Sequence, residues 1–276
     1  MSRITVLVEN TATGQGLLAE HGLSLWIEHA GHRILFDTGQ GYVLRNNAHR
    51  LNIPLETAGA VVLSHGHFDH TGGLADVLEL ENSTALLLHP AALAPRYSRR
   101  PDGTPREIGM PEPGVQAVRK RGDAVWTEAP TEVCAGVYVT GPLPRQTDFE
   151  DAGGPFFVDC ACREPDGFPD DQALYFQTEG GTVVILGCAH AGVVNTLRYV
   201  QKLTDGRPIH TVIGGTHLVA ASPERMDRTV EELRHTSIQR LMPGHCTGFP
   251  AMARLWQEFP CSYAPCPVGT VVEIGE

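Results

Sequence analysis

The sequence predicts a mixed α/β (α+β) fold in which two sheets pack together and helices cover their outer faces. Three observations predict it. Short runs rich in β-branched residues occur in both halves of the chain. Between them lie segments whose apolar residues recur at helical spacing. The 276 residues supply ample core for one large domain.

Taken in order, strands are expected at 4–8, 23–27, 33–36, 60–63 and 84–88, and then at 137–140, 173–177, 182–186, 211–213, 240–242 and 270–274. One-sided apolar patterns predict helices at 42–51, 74–80, 193–203 and 226–235, with a last one at 251–259. Ser222-Pro223 is an N-cap followed by Pro at the first helical position, so the fourth helix begins there. No solenoid-length repeat is visible. Residues 90–130 carry many Pro and Gly and are expected to form an irregular, lid-like insertion. A second irregular stretch is expected over 141–171.

Composition narrows the partners. Hydrophobic residues make up 42% and charged residues 19%, as in ordinary globular proteins. The formal net charge is −11, which repels nucleic-acid phosphates and anionic membranes. A small molecule is the expected partner. Seven scattered cysteines do not form a disulfide framework. Residues 1–10 show no basic segment leading into an apolar one, and no apolar run reaches bilayer length. A cytoplasmic setting is expected.

The chemistry centres on Ser64-His65-Gly66-His67-Phe68-Asp69-His70, which follows a buried strand and leads into Thr71-Gly72-Gly73-Leu74, where a helix can start. Burying these three imidazoles and one carboxylate without partners would cost roughly 1–3 kcal/mol per group. A divalent cation satisfies all of them, and imidazole with carboxylate suits zinc, iron or manganese. His65 and His67 stand two apart in an extended turn and suit one ion. Asp69 and His70 sit at the turn into a helix and suit a second.

His65-x-His67-x-Asp69-His70 resembles the signature of the metallo-β-lactamase superfamily, and Phe36-Asp37-Thr38-Gly39 resembles the Asp motif that precedes it there. Five further motifs are together similar to one subgroup, the dihydropterin-linked ribofuranosylaminobenzene phosphate synthases. They are Glu20-His21-Gly22-Leu23, Asp170-Asp171-Gln172-Ala173-Leu174, Gly187-Cys188-Ala189-His190-Ala191-Gly192, Gly214-Gly215-Thr216-His217-Leu218 and Pro243-Gly244-His245-Cys246-Thr247-Gly248.

The resemblance implies a single four-layer αββα sandwich over residues 1–276 and two divalent metal ions, zinc first, with manganese or iron as alternatives. It implies that Asp37 supports the metal site from behind, that His245 is the last ligand, and that His21 lines the pocket. The chain departs from the superfamily twice. Thr140-Gly141-Pro142-Leu143 stands where a third-ligand His is usual, and Gly187-Cys188 where a bridging Asp is usual. His190 is therefore expected as the replacement ligand, with Cys188 as the second candidate for that place or a support behind it. His217 is expected to face the substrate or transfer a proton.

The expected reaction is hydrolysis by a metal-bound hydroxide. His65, His67 and His190 would hold one ion, and Asp69, His70 and His245 the other; Asp69 and His217 are the expected catalytic residues. Residues 96–121 hold seven basic side chains against three acidic ones, reversing the sign of the whole chain. Arg96, Arg99 and Arg100 are thus expected to bind an anionic substrate, a phosphoester first. The subgroup name supplies an alternative: a transferase or lyase joining a pterin to an aryl ribofuranoside phosphate. A non-catalytic metal-binding module is a third reading, and the complete ligand set argues against it.

Overall fold

The computed structural model describes residues 1–80 and 84–275. The N-terminal half contributes β1 (Ser2–Val8), β2 (Ser24–His29), β3 (His32–Phe36), α1 (Leu44–Arg50), β4 (Ala60–Val62), α2 (Phe68–Thr71), α3 (Leu74–Leu78), β5 (Ala85–Leu88), β6 (Tyr97–Arg99), β7 (Pro105–Glu107), α4 (Glu112–Arg121) and β8 (Val125–Trp126). The C-terminal half contributes β9 (Thr131–Cys134), β10 (Val137–Val139), β11 (Phe156–Phe157), β12 (Leu174–Thr178), β13 (Gly181–Leu186), α5 (Val193–Leu203), β14 (Ile209–Gly215), α6 (Pro223–Thr236), β15 (Arg240–Gly244), α7 (Phe249–Glu258) and β16 (Val271–Ile274).

Two large sheets form, with strand orders β16-β1-β2-β3-β4-β5-β8 and β15-β14-β13-β12-β10-β9. Successive strand residues point to opposite faces, and here both faces are apolar. Leu25, Ile27, Ile34 and Phe36 of the first sheet meet Leu174, Phe176, Val183 and Ile185 of the second in a central core. The residues between them, Trp26 and Leu35, pack instead against Leu44, Leu74, Val115 and Val118 from α1, α3 and α4. On the other side, Tyr175 and Val184 pack against Leu197, Val230 and Leu255 from α5, α6 and α7. The layers are therefore helix, sheet, sheet, helix. Ser222 caps α6, its side chain accepting from the Arg225 N–H at 3.1 Å, with Pro223 at the first helical position.

The stretch 90–130 departs from expectation. It is not an irregular insertion: it holds β6, β7, α4 and β8, and α4 belongs to the outer helix layer. The second irregular stretch, 141–171, supplies β11, which pairs antiparallel with β6. A third, three-stranded sheet, β11-β6-β7, results. Through Phe68 N, which donates to Ile108 O at 3.0 Å, it is tied to the histidine turn. No helix among the described residues is long and apolar enough to cross a membrane.

Candidate metal centre

Parallel pairing sets the location. β3, β4 and β5 run parallel in one sheet, and β13, β14 and β15 in the other. The segments that leave the C-terminal ends of β3, β4, β13, β14 and β15 carry Asp37, His65 to His70, Cys188 to His190, His217 and His245. Asp37, Ala189, His217 and His245 all adopt left-handed backbone, with φ of 58°, 53°, 47° and 51°. Such conformations cost about 1–3 kcal/mol each and collect at functional sites. Gly66 is required because a Cβ there would lie 2.3 Å from Ala92 O.

His65, His67 and His190 form the first donor group, their ligand atoms all within 4.8 Å of one another. His65 Nε2 stands 3.0 Å from His67 Nδ1. His190 Nδ1 donates to the carbonyl of Ala152 at 3.0 Å, which leaves a lone pair on Nε2. That Nε2 is buried without a partner, as is His67 Nε2. The Phe168 ring stacks on His190 at 3.9 Å. Burial holds His65 and His190 well below the usual histidine range and pushes His67 down to about 3. Neutral imidazoles with converging lone pairs are the donor set a cation requires.

Asp69, His70 and His245 form the second group. His70 Nε2 and His245 Nε2 are 3.1 Å apart, and Asp69 Oδ2 lies 3.4 Å from the latter and 3.9 Å from the former. Each imidazole has its other nitrogen tied down. His70 Nδ1 donates to Asp37 Oδ2 at 2.7 Å, and His245 Nδ1 to Asn10 Oδ1 at 2.9 Å. Each ring therefore turns its Nε2 toward the other and toward Asp69. Asp37 is held in turn by Ser64, whose N–H and hydroxyl each donate to it at 2.7 Å. Burial alone would raise the Asp69 pKa, but His70, His21 and His245 outweigh it and keep the carboxylate ionised well below its usual range. The two groups thus fit two divalent cations, and outer partners fix the orientation of the ligands.

The other expected residues are placed as follows. His21 stands at the mouth, half exposed, with Nε2 3.0 Å from Asp69 Oδ2. His217 lies 4.3 Å from the His190 ring, and its Nδ1 is buried without a partner. Burial lowers its pKa to about 4, so it is a neutral imidazole rather than a cation. Cys188 is buried with Sγ 3.1 Å from His70 Nε2.

Arg96 corrects the expectation of a basic lid. It is 1% exposed and ion-paired with Asp166 and, at 2.6 Å, with Asp170, because a buried guanidinium needs carboxylate partners. Asp170 Oδ2 also accepts from Gly66 N at 2.8 Å, so this network braces the turn from below. Arg99 is exposed, donates to Cys162 O and lies 4.6 Å over the Phe157 ring. Arg100 bonds to the Pro105 carbonyl at 3.3 Å. Arg145 donates to the His190 carbonyl at 2.8 Å, and Arg106 lies 5.2 Å from the Phe68 ring, on the side of His21.

Several contributors were not singled out from the sequence. Glu9 Oε1 accepts from His245 N at 2.7 Å, and Asn10 orients the His245 ring. The signal for both was a polar pair at the end of a buried strand. Phe156 and Phe168 wall the first donor group, with ring centroids 5.6 and 5.5 Å from His67.

Strand-end donors on an αββα sandwich define a class of metalloproteins, and the Metallo-beta-lactamase superfamily family matches residues 18–222. The chain belongs to that superfamily. It is 33% identical over 255 residues to an uncharacterized protein of Methanocaldococcus jannaschii, covering 92% of this chain and 94% of that one. A second protein of the same organism is 28% identical over 270 residues, covering 92% and 90%, and is named 7,8-dihydropterin-6-methyl-4-(beta-D-ribofuranosyl)-aminobenzene-5'-phosphate synthase. The solved structure of Tm1679, described as a metal-dependent hydrolase of the beta-lactamase superfamily, superposes with a TM-score of 0.84 at 29% identity over 100% of both chains.

Proposed function

We propose that the protein is a metal-dependent hydrolase acting on a small anionic substrate, a phosphoester first, in the cytoplasm and without a nucleic-acid or membrane partner. The observation that carries this reading is the meeting of two donor groups, one with the buried, unpartnered Nε2 atoms of His67 and His190, the other with His70 Nε2 3.1 Å from His245 Nε2. Two divalent cations bound there, zinc first, supply Lewis acidity and an activated water.

The chain's own residues do the rest. His65, His67 and His190 hold one cation, and Asp69, His70 and His245 the other. Asp37 and Asn10 keep the second group's imidazoles in the required tautomer. His217 offers its unpaired Nδ1 to the substrate or its leaving group. Phe156 and Phe168 exclude water from one side of the first group. Arg106 and His21, at the mouth, favour a negatively charged substrate.

A second reading comes from the relative named as a synthase: a transferase or lyase that joins a pterin to an aryl ribofuranoside phosphate. Its support is the alignment over 92% of this chain. One assay separates the two. Metal-loaded protein is offered a nitrophenyl phosphodiester, and separately a dihydropterin with an aryl ribofuranoside phosphate. Chelator-sensitive release of nitrophenol is the expected result. Product from the pterin pair with an inert phosphodiester would overturn the hydrolase reading in favour of the second.

A further inference from the structure

The chain from Arg145 to Gly153 supplies none of the grouped donors, yet it grips His190 from two sides. Arg145 Nη2 donates to the His190 carbonyl at 2.8 Å, and Ala152 O accepts from His190 Nδ1 at 3.0 Å. Between these two residues lies Glu150, a carboxylate only 8% exposed. Its Oε1 accepts from Val194 N and its Oε2 from Asn195 N, both at 2.9 Å. These are first-turn N–H groups of α5, which have no partner within the helix. No side chain at Gly192, the residue before α5, caps them, so Glu150 does so from outside, with its negative charge at the positive end of the helix. Gly192 has φ of 107°, and a Cβ there would lie 2.3 Å from Glu150 Cδ. That glycine makes the room the carboxylate fills. The Thr147 hydroxyl donates to Glu150 Oε2 at 3.1 Å and accepts from Asn195 Nδ2 at 3.0 Å, tying the start of the segment to the same helix.

We propose that Glu150 is a positioning residue for the metal centre: by capping α5 it fixes the Ala152 carbonyl, which sets the tautomer of His190 and leaves Nε2 as the donor to the first cation. The proposal rests on the two-cation reading above. A carbonyl only accepts, so His190 Nδ1 must carry the proton and Nε2 the lone pair. That Nε2 is buried without a partner. If the carbonyl withdraws, the ring is free to carry its proton on Nε2, where it blocks the cation. A main-chain carbonyl has no side chain of its own to hold it, so its place depends on the anchors of its segment. Asp151 is the other anchor, accepting from Arg225 Nη1 at 2.6 Å, but its side chain is 73% exposed, and exposed ion pairs are weak. Glu150 is the buried one.

The test compares Glu150→Gln with Asp151→Asn. The amide keeps the size of Glu150 and turns an NH2 group toward one of the two helix N–H groups. Two properties are measured. Proton–nitrogen NMR of the metal-free, histidine-labelled protein reads which ring nitrogen of His190 is protonated, the signal being assigned with His190→Gln. Chelator competition then reads the affinities for two zinc ions. In the wild type Nδ1 is expected to carry the proton. Glu150→Gln is expected to lose that pattern and to weaken one zinc about tenfold or more, leaving the other unchanged. Asp151→Asn is expected to keep the pattern and both affinities. A Glu150→Gln protein with the wild-type tautomer would overturn the proposal, as would equal weakening of both zinc ions, which is the mark of general loosening. A wild type that binds no zinc, with His190 still protonated on Nδ1, would overturn the two-cation reading instead. Should Glu150→Gln fail to fold, Thr147→Val removes only the hydroxyl between Glu150 and Asn195. It is expected to move both readouts the same way by a smaller amount, and no movement in either would overturn the proposal.

Discussion

The N-terminal half delivers His65, His67, Asp69 and His70 from a single turn, whereas the C-terminal half delivers Cys188 with His190, His217 and His245 from three separate strand ends. The turn is organised locally: Ser64 binds Asp37, and Gly66 binds Asp170. The strand-end residues depend on sheet register, since Leu186 pairs with Gly214 and Gly215 with Gly244 in adjacent parallel strands. Damage to the turn reaches both donor groups. Loss of the His190 or the His245 side chain alone reaches one.

The sharpest way to break this contrast is to compare His67→Ala with His245→Ala. His67→Ala is expected to lose most bound metal, with activity falling more than about 100-fold, since even outer partners of metal ligands are worth about 10–100-fold. His245→Ala is expected to retain the first cation. Elemental analysis of both proteins is the check, and equal metal loss would erase the distinction between the halves.

The support beneath the turn gives the next largest effect. Arg96→Ala strands Asp166 and Asp170 in the interior, and breaking a buried pair costs about 3–5 kcal/mol. Denaturant unfolding is expected to show that loss. A change under about 0.5 kcal/mol, typical of surface positions, would return Arg96 to the role of an exposed lid residue.

Asp37→Asn sharpens the comparison further. It removes the charge that orients His70 and is expected to weaken metal binding about 10–100-fold in chelator competition. Asn10→Ala, the corresponding change behind His245, is expected to weaken it less, because Asn10 brings no charge. The reverse order would mean that register, not charge, sets the second donor group.

The smallest effect is expected at the mouth. Arg106→Gln is expected to lower kcat/KM for an anionic substrate a few-fold at low salt, the loss fading as ionic strength approaches about 0.1 M, where the screening length is about 10 Å. Arg100→Gln, whose charge is spent on the Pro105 carbonyl, is expected to change little. Equal losses in both variants would point to a diffuse field in place of a placed cation.

Most strands of both large sheets were legible because they alternate between two apolar cores and read as β-branched runs, whereas the edge strands β8 and β9, exposed or half-buried, were not. The histidine turn was legible because its donors are contiguous. β6, β7 and α4 were not, because Pro, Gly and charge dominate 90–130 and α4 buries only Gly114, Val115 and Val118. The burial of Arg96 was hidden for another reason. Its partners lie 70 and 74 residues away, and nothing local announces them. Similarly, His190 and Cys188 are two residues apart, and only the packing of the sheets reveals that they neighbour different sets of donors.

His70 and His245 are 175 residues apart in the chain, yet their nitrogens meet at 3.1 Å across the line where the two sheets face each other. A cation shared by them is a reversible staple on that seam. It fastens one sheet to the other, and neither sheet to itself. With free ion at about 1,000 times its Kd, such a ligand adds about 4.1 kcal/mol to the folded state. Chelation would then subtract that contribution from the folded state and lower the denaturant midpoint, while the central core keeps the two sheets together.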